Sequence, residues 1–173
     1  MTISDSLVTL RAVEPDDVDM LYMLENATAR SEAGFTSAPM SRLELRNYID
    51  TYNSDIFSAR QLRLIIVARQ TGRAVGAIDI ADFEPRDRRG FIGIAVLDSE
   101  RRRGYGSAAL RLMCDYASEV LGMHQLAAQV ACDNEASRAL FTSCGFKSCG
   151  CLRSWIRRGR QYTDVLLFQR LFP

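Results

Sequence analysis

One histidine, His124, is all the imidazole this chain carries, and its five cysteines (Cys114, Cys132, Cys144, Cys149, Cys151) never fall in a Cys-x-x-Cys spacing. A zinc site of the usual kind lacks its ligands, so no metal is expected and small buried thiols are. No apolar run approaches the ~18 residues a membrane span requires. Met1-Thr2-Ile3-Ser4-Asp5 has neither the basic segment nor the apolar stretch of a secretory signal. With an odd cysteine count, this gives the expectation of reduced thiols in a cytoplasm. Repeats and low-complexity stretches are missing too, which argues against solenoids and disordered tails. Net charge is only +1, so direct nucleic-acid binding by bulk attraction is not expected.

What remains is ordinary globular material. The 173 residues are 47% hydrophobic and 25% charged, which fits a single domain over residues 1–173. A chain of this size buries about two thirds of its unfolded surface and folds without disulfides or metal. Its charge is unevenly spread. Residues 1–85 carry eight arginines against thirteen acids, and residues 86–173 carry fourteen cations against eight acids. Such a split suggests two ligands of opposite sign meeting in one protein.

Along the chain, Leu7 to Arg11 alternates as a strand does, and Glu14-Pro15-Asp16-Asp17 opens a helix with an apolar stripe of Val18, Leu21, Tyr22 and Leu24. Ser41-Arg42-Leu43-Glu44 has capping-box spacing and starts a second helix presenting Leu43, Leu45, Tyr48 and Ile49. Strands over 62–69 and 74–81 flank Gln70-Thr71-Gly72-Arg73 as a hairpin, and a polar connection over 83–89 leads to a strand over 90–97. A long helix (107–121), a strand (125–131) and a short helix (135–143) ending at Gly145 follow. Two last strands, 146–154 and 162–171, flank Arg157-Arg158-Gly159-Arg160. The order β-α-α-β-β-β-α-β-α-β-β predicts a mixed α/β sheet in one domain.

Chemistry concentrates where Ile92 to Leu97 runs through Asp98-Ser99-Glu100-Arg101-Arg102-Arg103 into Gly104-Tyr105-Gly106-Ser107. A strand feeding a glycine loop and then a helix start converges backbone N–H groups on one point, which favours an anion. Glycine lets a phosphate approach without a Cβ in the way. Gly104-x-Gly106-x-x-Ala109 also fits the dinucleotide fingerprint. Two hairpin strands precede it, however, and residues 123–127 provide no acid to hold a ribose. The Gly-Lys-Ser/Thr of a nucleotide P-loop is absent, and a plain tight turn stands as the bland alternative.

Arg101-x-x-Gly104-x-Gly106 resembles the acetyl-coenzyme-A pyrophosphate loop of the GNAT superfamily of N-acetyltransferases. Asn134-Glu135-Ala136-Ser137-Arg138-Ala139-Leu140-Phe141 and Cys144-Gly145-Phe146 resemble that family's Asn-x-x-Ala/Ser-x-x-x-Tyr…Gly-Phe segment. Gly159-Arg160-Gln161-Tyr162-Thr163-Asp164-Val165 is similar to the branch holding ribosomal-protein and bacterial spermidine N-acetyltransferases. The resemblance implies the acyl-CoA N-acyltransferase fold, acetyl-CoA as co-substrate and an amine acceptor. It implies a cofactor side over residues 90–146, with pantetheine alongside Ile94, Ala95 and Val96. Arg101, Arg102, Arg103, Gly104, Tyr105, Gly106 and Ser107 would take the pyrophosphate, with Asn134 and Phe141 alongside the cofactor. The acceptor side would lie mainly in 1–85, with Glu32, Phe35 and Glu44 facing the substrate.

Two positions depart from the family pattern. Where relatives often place a tyrosine that protonates the departing thiolate, this chain has Phe141, and Phe91 stands where the branch often has Glu. Neither loss requires that acetyl transfer be abolished, because a thiol of pKa about 8.5 leaves tolerably as thiolate. Asp79, Asp82, Glu84 and Tyr162 are candidate replacements, Asp79, Glu84 and Tyr162 foremost. Trp155 is a candidate pocket residue, and His124 reads as structural. The expected acceptor is a protein N-terminus or small amine. Spermidine is the nearest alternative, disfavoured by the basic stretch 152–160. A non-catalytic acyl-CoA-binding module is the alternative of another class, and a homodimer is a possible assembly.

Overall fold

The computed structural model describes residues 3–27 and 38–173. Its strands are β1 (Ile3–Ser4), β2 (Val8–Arg11), β3 (Leu62–Ala68), β4 (Arg73–Glu84), β5 (Arg89–Val96), β6 (Gln125–Ala131), β7 (Lys147–Arg158) and β8 (Gln161–Leu171). They form one mixed sheet in the order β1-β2-β3-β4-β5-β6-β8-β7. Among the described residues, only β5 and β6 pair in parallel. The α-helices are α1 (Val18–Glu25), α2 (Arg42–Asp50), α3 (Ile56–Ala59), α4 (Tyr105–Glu119) and α5 (Glu135–Ser143). The mixed α/β architecture is the one the sequence predicts.

Local chemistry starts the helices. Pro15 opens a 3-10 turn whose Glu14–Asp17 capping box leads into α1. Both Asp17 oxygens accept from Arg11, each at 2.7 Å. Ser41 and Glu44 form the expected capping box on α2. Gly145 follows α5 with φ +84°, the left-handed conformation that suits glycine.

Two faces of the sheet are covered. On one, Leu64, Ile66, Ile78, Ile80 and Ile92 pack with Ala109, Leu110 and Met113 of α4, and the cluster continues through Leu126, Phe146 and Phe168. On the other, Ile65 and Ala77 meet Leu21 and Leu24 of α1 and Leu45 of α2. Burial on both faces explains why β3 reads as a continuous apolar run instead of an alternating one.

Several boundaries differ from expectation. β1 and the single turn α3 carry too few residues to leave a periodic signal. The connection before β5 is shorter than expected, because Phe83 is buried against Phe57 and extends β4 to Glu84. Helix α4 begins at Tyr105 instead of Ser107, and the last hairpin reaches further, to Arg158 and Gln161. Leu43 is exposed instead of joining the apolar stripe of α2. Cys114 and Cys144 are buried thiols, whereas Cys149 and Cys151 are exposed, because they lie on β7, an edge strand. Among the described residues, no helix is long and apolar enough to cross a membrane.

Candidate active site at a gap in the sheet

The sheet opens between β5 and β6, its parallel pair. β6 accompanies β5 at Arg89, Gly90 and Phe91 and no further. Beyond that point β6 follows β8 along its whole length, from Gln125 opposite Leu171 to Ala131 opposite Val165. β5 stays with β4 up to Val96, opposite Gly76. Among the described residues the second edge of Ile92 to Val96 therefore has no strand partner, although it lies in the middle of the sheet. Exposed backbone donors and acceptors in such a position invite an extended ligand to add as a strand. Ile94, Ala95 and Val96, the residues expected along pantetheine, are all on this edge and half-buried.

At the open end of β5 the chain makes a 3-10 turn (Asp98–Glu100) and enters α4 through Gly104, which has φ +82°. No side chain caps α4, so its first-turn N–H groups are left for solvent or ligand. A Cβ at Gly104 would sit 3.3 Å from Leu7 Cδ2 in a left-handed backbone, whereas one at Gly106 would make only ordinary contacts. Arg101 pairs with Asp98 at 2.8 Å and Arg103 with Glu100 at 3.2 Å, so part of the loop's charge is locally offset. Loop backbone, helix start and three exposed arginines together suit a phosphate-bearing tail beside the open edge.

On the α1–α2 face a row of three residues crosses the sheet. Arg63 of β3 is opposite Asp79 of β4, and Asp79 is opposite Gly93 of β5. Arg63 Nε donates to Asp79 Oδ1 at 2.6 Å and its second arm to Oδ2 at 3.2 Å, while its third nitrogen reaches Glu25 Oε1 at 3.2 Å. The Tyr48 ring lies 5.4 Å from this guanidinium. The Tyr52 hydroxyl bonds both the backbone N–H and C=O of Arg63, at 2.5 and 3.1 Å. Burial alone would lower the Arg63 pKa, but Asp79 and its neighbours raise it above the ordinary arginine value. Burial pushes the Tyr48 phenol up to about 12. Glu25 and Asp79 hold this guanidinium from two sides. The row ends at Gly93, above which a Cβ would meet nothing within 4 Å. Asp79 is thus the last charged side chain before a bare stretch of strand at the gap.

The residues expected from sequence separate into groups. Asp79 and the 94–107 stretch border the gap. Glu84 is at the closed end of β5, opposite Arg89 and 3.9 Å from Arg60, and Asp82 is an exposed bulge residue with φ +48°. Tyr162 is exposed on the last hairpin, beyond the end of β6, as is Trp155. Asn134 accepts from the Ser137 N–H at 3.1 Å as the cap of α5, which leaves its amide nitrogen free to donate. Phe141 is 4% exposed and packs on Phe146 and Phe168, with centroids 5.1 and 6.3 Å away. Glu44 is held below the usual carboxylate range by hydrogen bonds from Ser41, a capping role. His124 bonds through its backbone to Arg88 and Phe172, a structural role. Glu32 and Phe35 lie outside the described residues. Sequence reading passed over Glu25, Arg63 and Gly93. A hollow of about 200 Å³ lined by Pro15, Val18, Arg46, Ile49 and Asp50 lies between α1 and α2 and touches none of these groups.

Comparison with known proteins follows the same outline. Residues 8–147 match the family model described as the acetyltransferase (GNAT) domain. An uncharacterized N-acetyltransferase of Bacillus subtilis (strain 168), YoaA, is 26% identical over 173 residues, covering 100% of this chain and 91% of its own. Spermidine N-acetyltransferase from Vibrio cholerae, solved with CoA and spermine, superposes with TM-score 0.85 at 23% identity, covering 96% of each chain. A putative ribosomal-protein-serine acetyltransferase from Vibrio cholerae superposes with TM-score 0.78 at 20% identity, covering 99% and 98% of the chains. At these identities the structural likeness speaks for the fold.

Proposed function

This chain belongs to the GNAT acetyltransferase family, and we propose that it moves the acetyl group of acetyl-CoA to a primary amine held beside Asp79. The observation that carries the reading is the gap itself: an unpaired strand edge, a phosphate-suited helix start at its mouth, and the Asp79 carboxylate beside bare Gly93. Acetyl-CoA supplies the activated thioester. Ile94, Ala95 and Val96 would hold its pantetheine, and the backbone from Arg103 to Ser107, with Arg101 and Arg102 alongside, would hold its pyrophosphate.

Asp79 anchors the acceptor's ammonium electrostatically. Bidentate contact with Arg63 leaves its carboxylate fixed and poorly suited to be the base, so water removes the amine's proton. The neutral nitrogen attacks the thioester carbonyl, an amide C–N bond forms, the C–S bond breaks, the thiolate departs, and the nitrogen's remaining extra proton passes to water. No hydroxyl from Phe141 assists, and none is required for a leaving group of pKa about 8.5. Most of the acceleration comes from holding amine and thioester together. The acceptor is a protein N-terminus or small amine, with spermidine the nearest alternative. A reduced, cytoplasmic setting and a homodimer belong to the same reading. The buried Phe141 favours a second reading, a non-catalytic acyl-CoA-binding module.

Steady CoA release over a panel of amines separates the two readings: turnover supports the enzyme, and tight acetyl-CoA binding without turnover supports the module. Asp79→Asn is expected to lower kcat/KM for the amine by at least about tenfold while the Kd of acetyl-CoA stays unchanged. Equal loss on both ligands would show that Asp79 serves the fold and not the acceptor.

A further inference from the structure

The β7–β8 hairpin carries positive charge that the acetyl-transfer site does not use. Residues 153–162 contain Arg153, Arg157, Arg158 and Arg160 and no acid. The two acids nearest the hairpin are already engaged: Asp133 pairs with Arg158, and Asp164 accepts from the Ser154 N–H at 2.7 Å. Arg157 Nε donates to the Gly159 carbonyl at 2.9 Å, which stiffens the tip without neutralising it. Arg153 and Arg160 are exposed, with no ion pair among the described residues. Trp155 and Tyr162 stand in the open beside them, 57% and 59% exposed. Arginine with exposed Trp and Tyr is the composition that protein interfaces favour.

Position gives this patch a meaning. β8 runs antiparallel to β6, and Val165 is opposite Ala131, the last residue of β6. Residues 153–162 therefore project past β6 at the end of the sheet where β5 and β6 part. A polypeptide with its terminal amine at Gly93 would reach the hairpin with about five to eight extended residues.

We propose that the hairpin docks the acidic body of a polypeptide whose terminal amine is the acetyl acceptor. The inference rests on the acetyl-transfer reading and narrows its acceptor class. A polyamine would meet Arg153, Arg157 and Arg160, charges of its own sign that no acid pairs among the described residues. A second copy of this chain would bring an equally basic hairpin, so like pairing there is disfavoured. Nucleic acid suits arginine and aromatics but carries no terminal primary amine for the gap.

The test uses three peptides with the same four N-terminal residues followed by a Glu-rich, a neutral or a Lys-rich body. Acetyl transfer gives kcat/KM, and fluorescence of Trp155, the chain's single tryptophan, reports docking without chemistry. The Glu-rich body should exceed the neutral one by about tenfold at low salt and lose that advantage as salt rises. Arg153→Glu with Arg160→Glu, or the milder Gln pair, should abolish the preference while acetyl-CoA affinity and small-amine turnover stay unchanged. Equal kcat/KM for all three bodies, or a preference surviving in folded variants, overturns the proposal. Docking of the Glu-rich peptide without transfer to any amine upholds the hairpin's role and rejects acetyl transfer. Tighter binding of a single-stranded RNA oligonucleotide than of that peptide overturns the polypeptide assignment.

Discussion

The two covered faces of the sheet are built differently. Under α4 the buried cluster is overwhelmingly apolar, from Leu64 and Ile78 to Leu110 and Phe168, with Arg170 the charge at its margin beside Cys144 and Phe172. Under α1 and α2 far fewer apolar residues are buried, and Glu25, Arg63 and Asp79 are set among them. Burying an ion cluster instead of hydrophobics is weak as a stability device, since desolvation offsets much of the attraction. The apolar face accounts for the fold. The charged face therefore points to the site, and its row ends at the gap.

The largest effect should come from the apolar face. Leu110→Ala, at a fully buried position, is expected to cost about 2–5 kcal/mol in denaturant unfolding. A cost below 1 kcal/mol would remove the contrast.

Arg63→Met should come next, at about 3 kcal/mol, because it removes the buried cation that holds Asp79 bidentately and also pairs with Glu25. Adding Glu25→Gln and Asp79→Asn should return most of that stability without restoring amine acetylation. A harmless Arg63→Met would mean that the network is solvated and that the faces differ less than their contacts suggest.

Alkaline pH sharpens the comparison with a smaller effect. Burial raises both the Tyr48 phenol on the charged face and the Cys114 thiol on the apolar face to about 12, from 10.0 and 9.0. Both fold as neutral groups, whereas the unfolded chain releases their protons first. Their contribution is complete below about pH 9 and is lost as pH rises toward 12. Thermal melts should fall through that window, with the onset delayed in Cys114→Ala and the upper part flattened in Tyr48→Phe.

Gly93→Val should change stability least, since its Cβ would enter open space and valine suits a strand. Amine turnover should nevertheless drop severely, with acetyl-CoA affinity kept. Normal turnover in a folded variant would move the acceptor away from this row.

Much of this molecule was legible locally. Ser41 with Glu44, and Gly145, act within one turn of chain, so their capping roles show in the sequence and recur in the structure. Gly104 and Gly106 mark the helix start in the same way. Asp79 stood out as an acid in an apolar strand. Arg63 and Glu25 did not, because a cation in β3 and an acid at the end of α1 look solvated until α1 is folded down on the sheet. Phe141 was legible as a missing hydroxyl, but its burial against Phe146 and Phe168 depends on packing between α5 and the C-terminal strands.

By itself the sequence determined the element order, the glycine loop and the family pattern, because periodicity, capping and turn preferences act over a few residues. The tertiary structure alone decided that β6 leaves β5 after Phe91, and that Arg63, Asp79 and Gly93 line up toward the opening. Those facts depend on the register of strands joined by helices and hairpins many residues away. A shift of one residue in that register would turn Asp79 to the opposite face, where α4 packs, so the site exists only once the whole sheet is assembled.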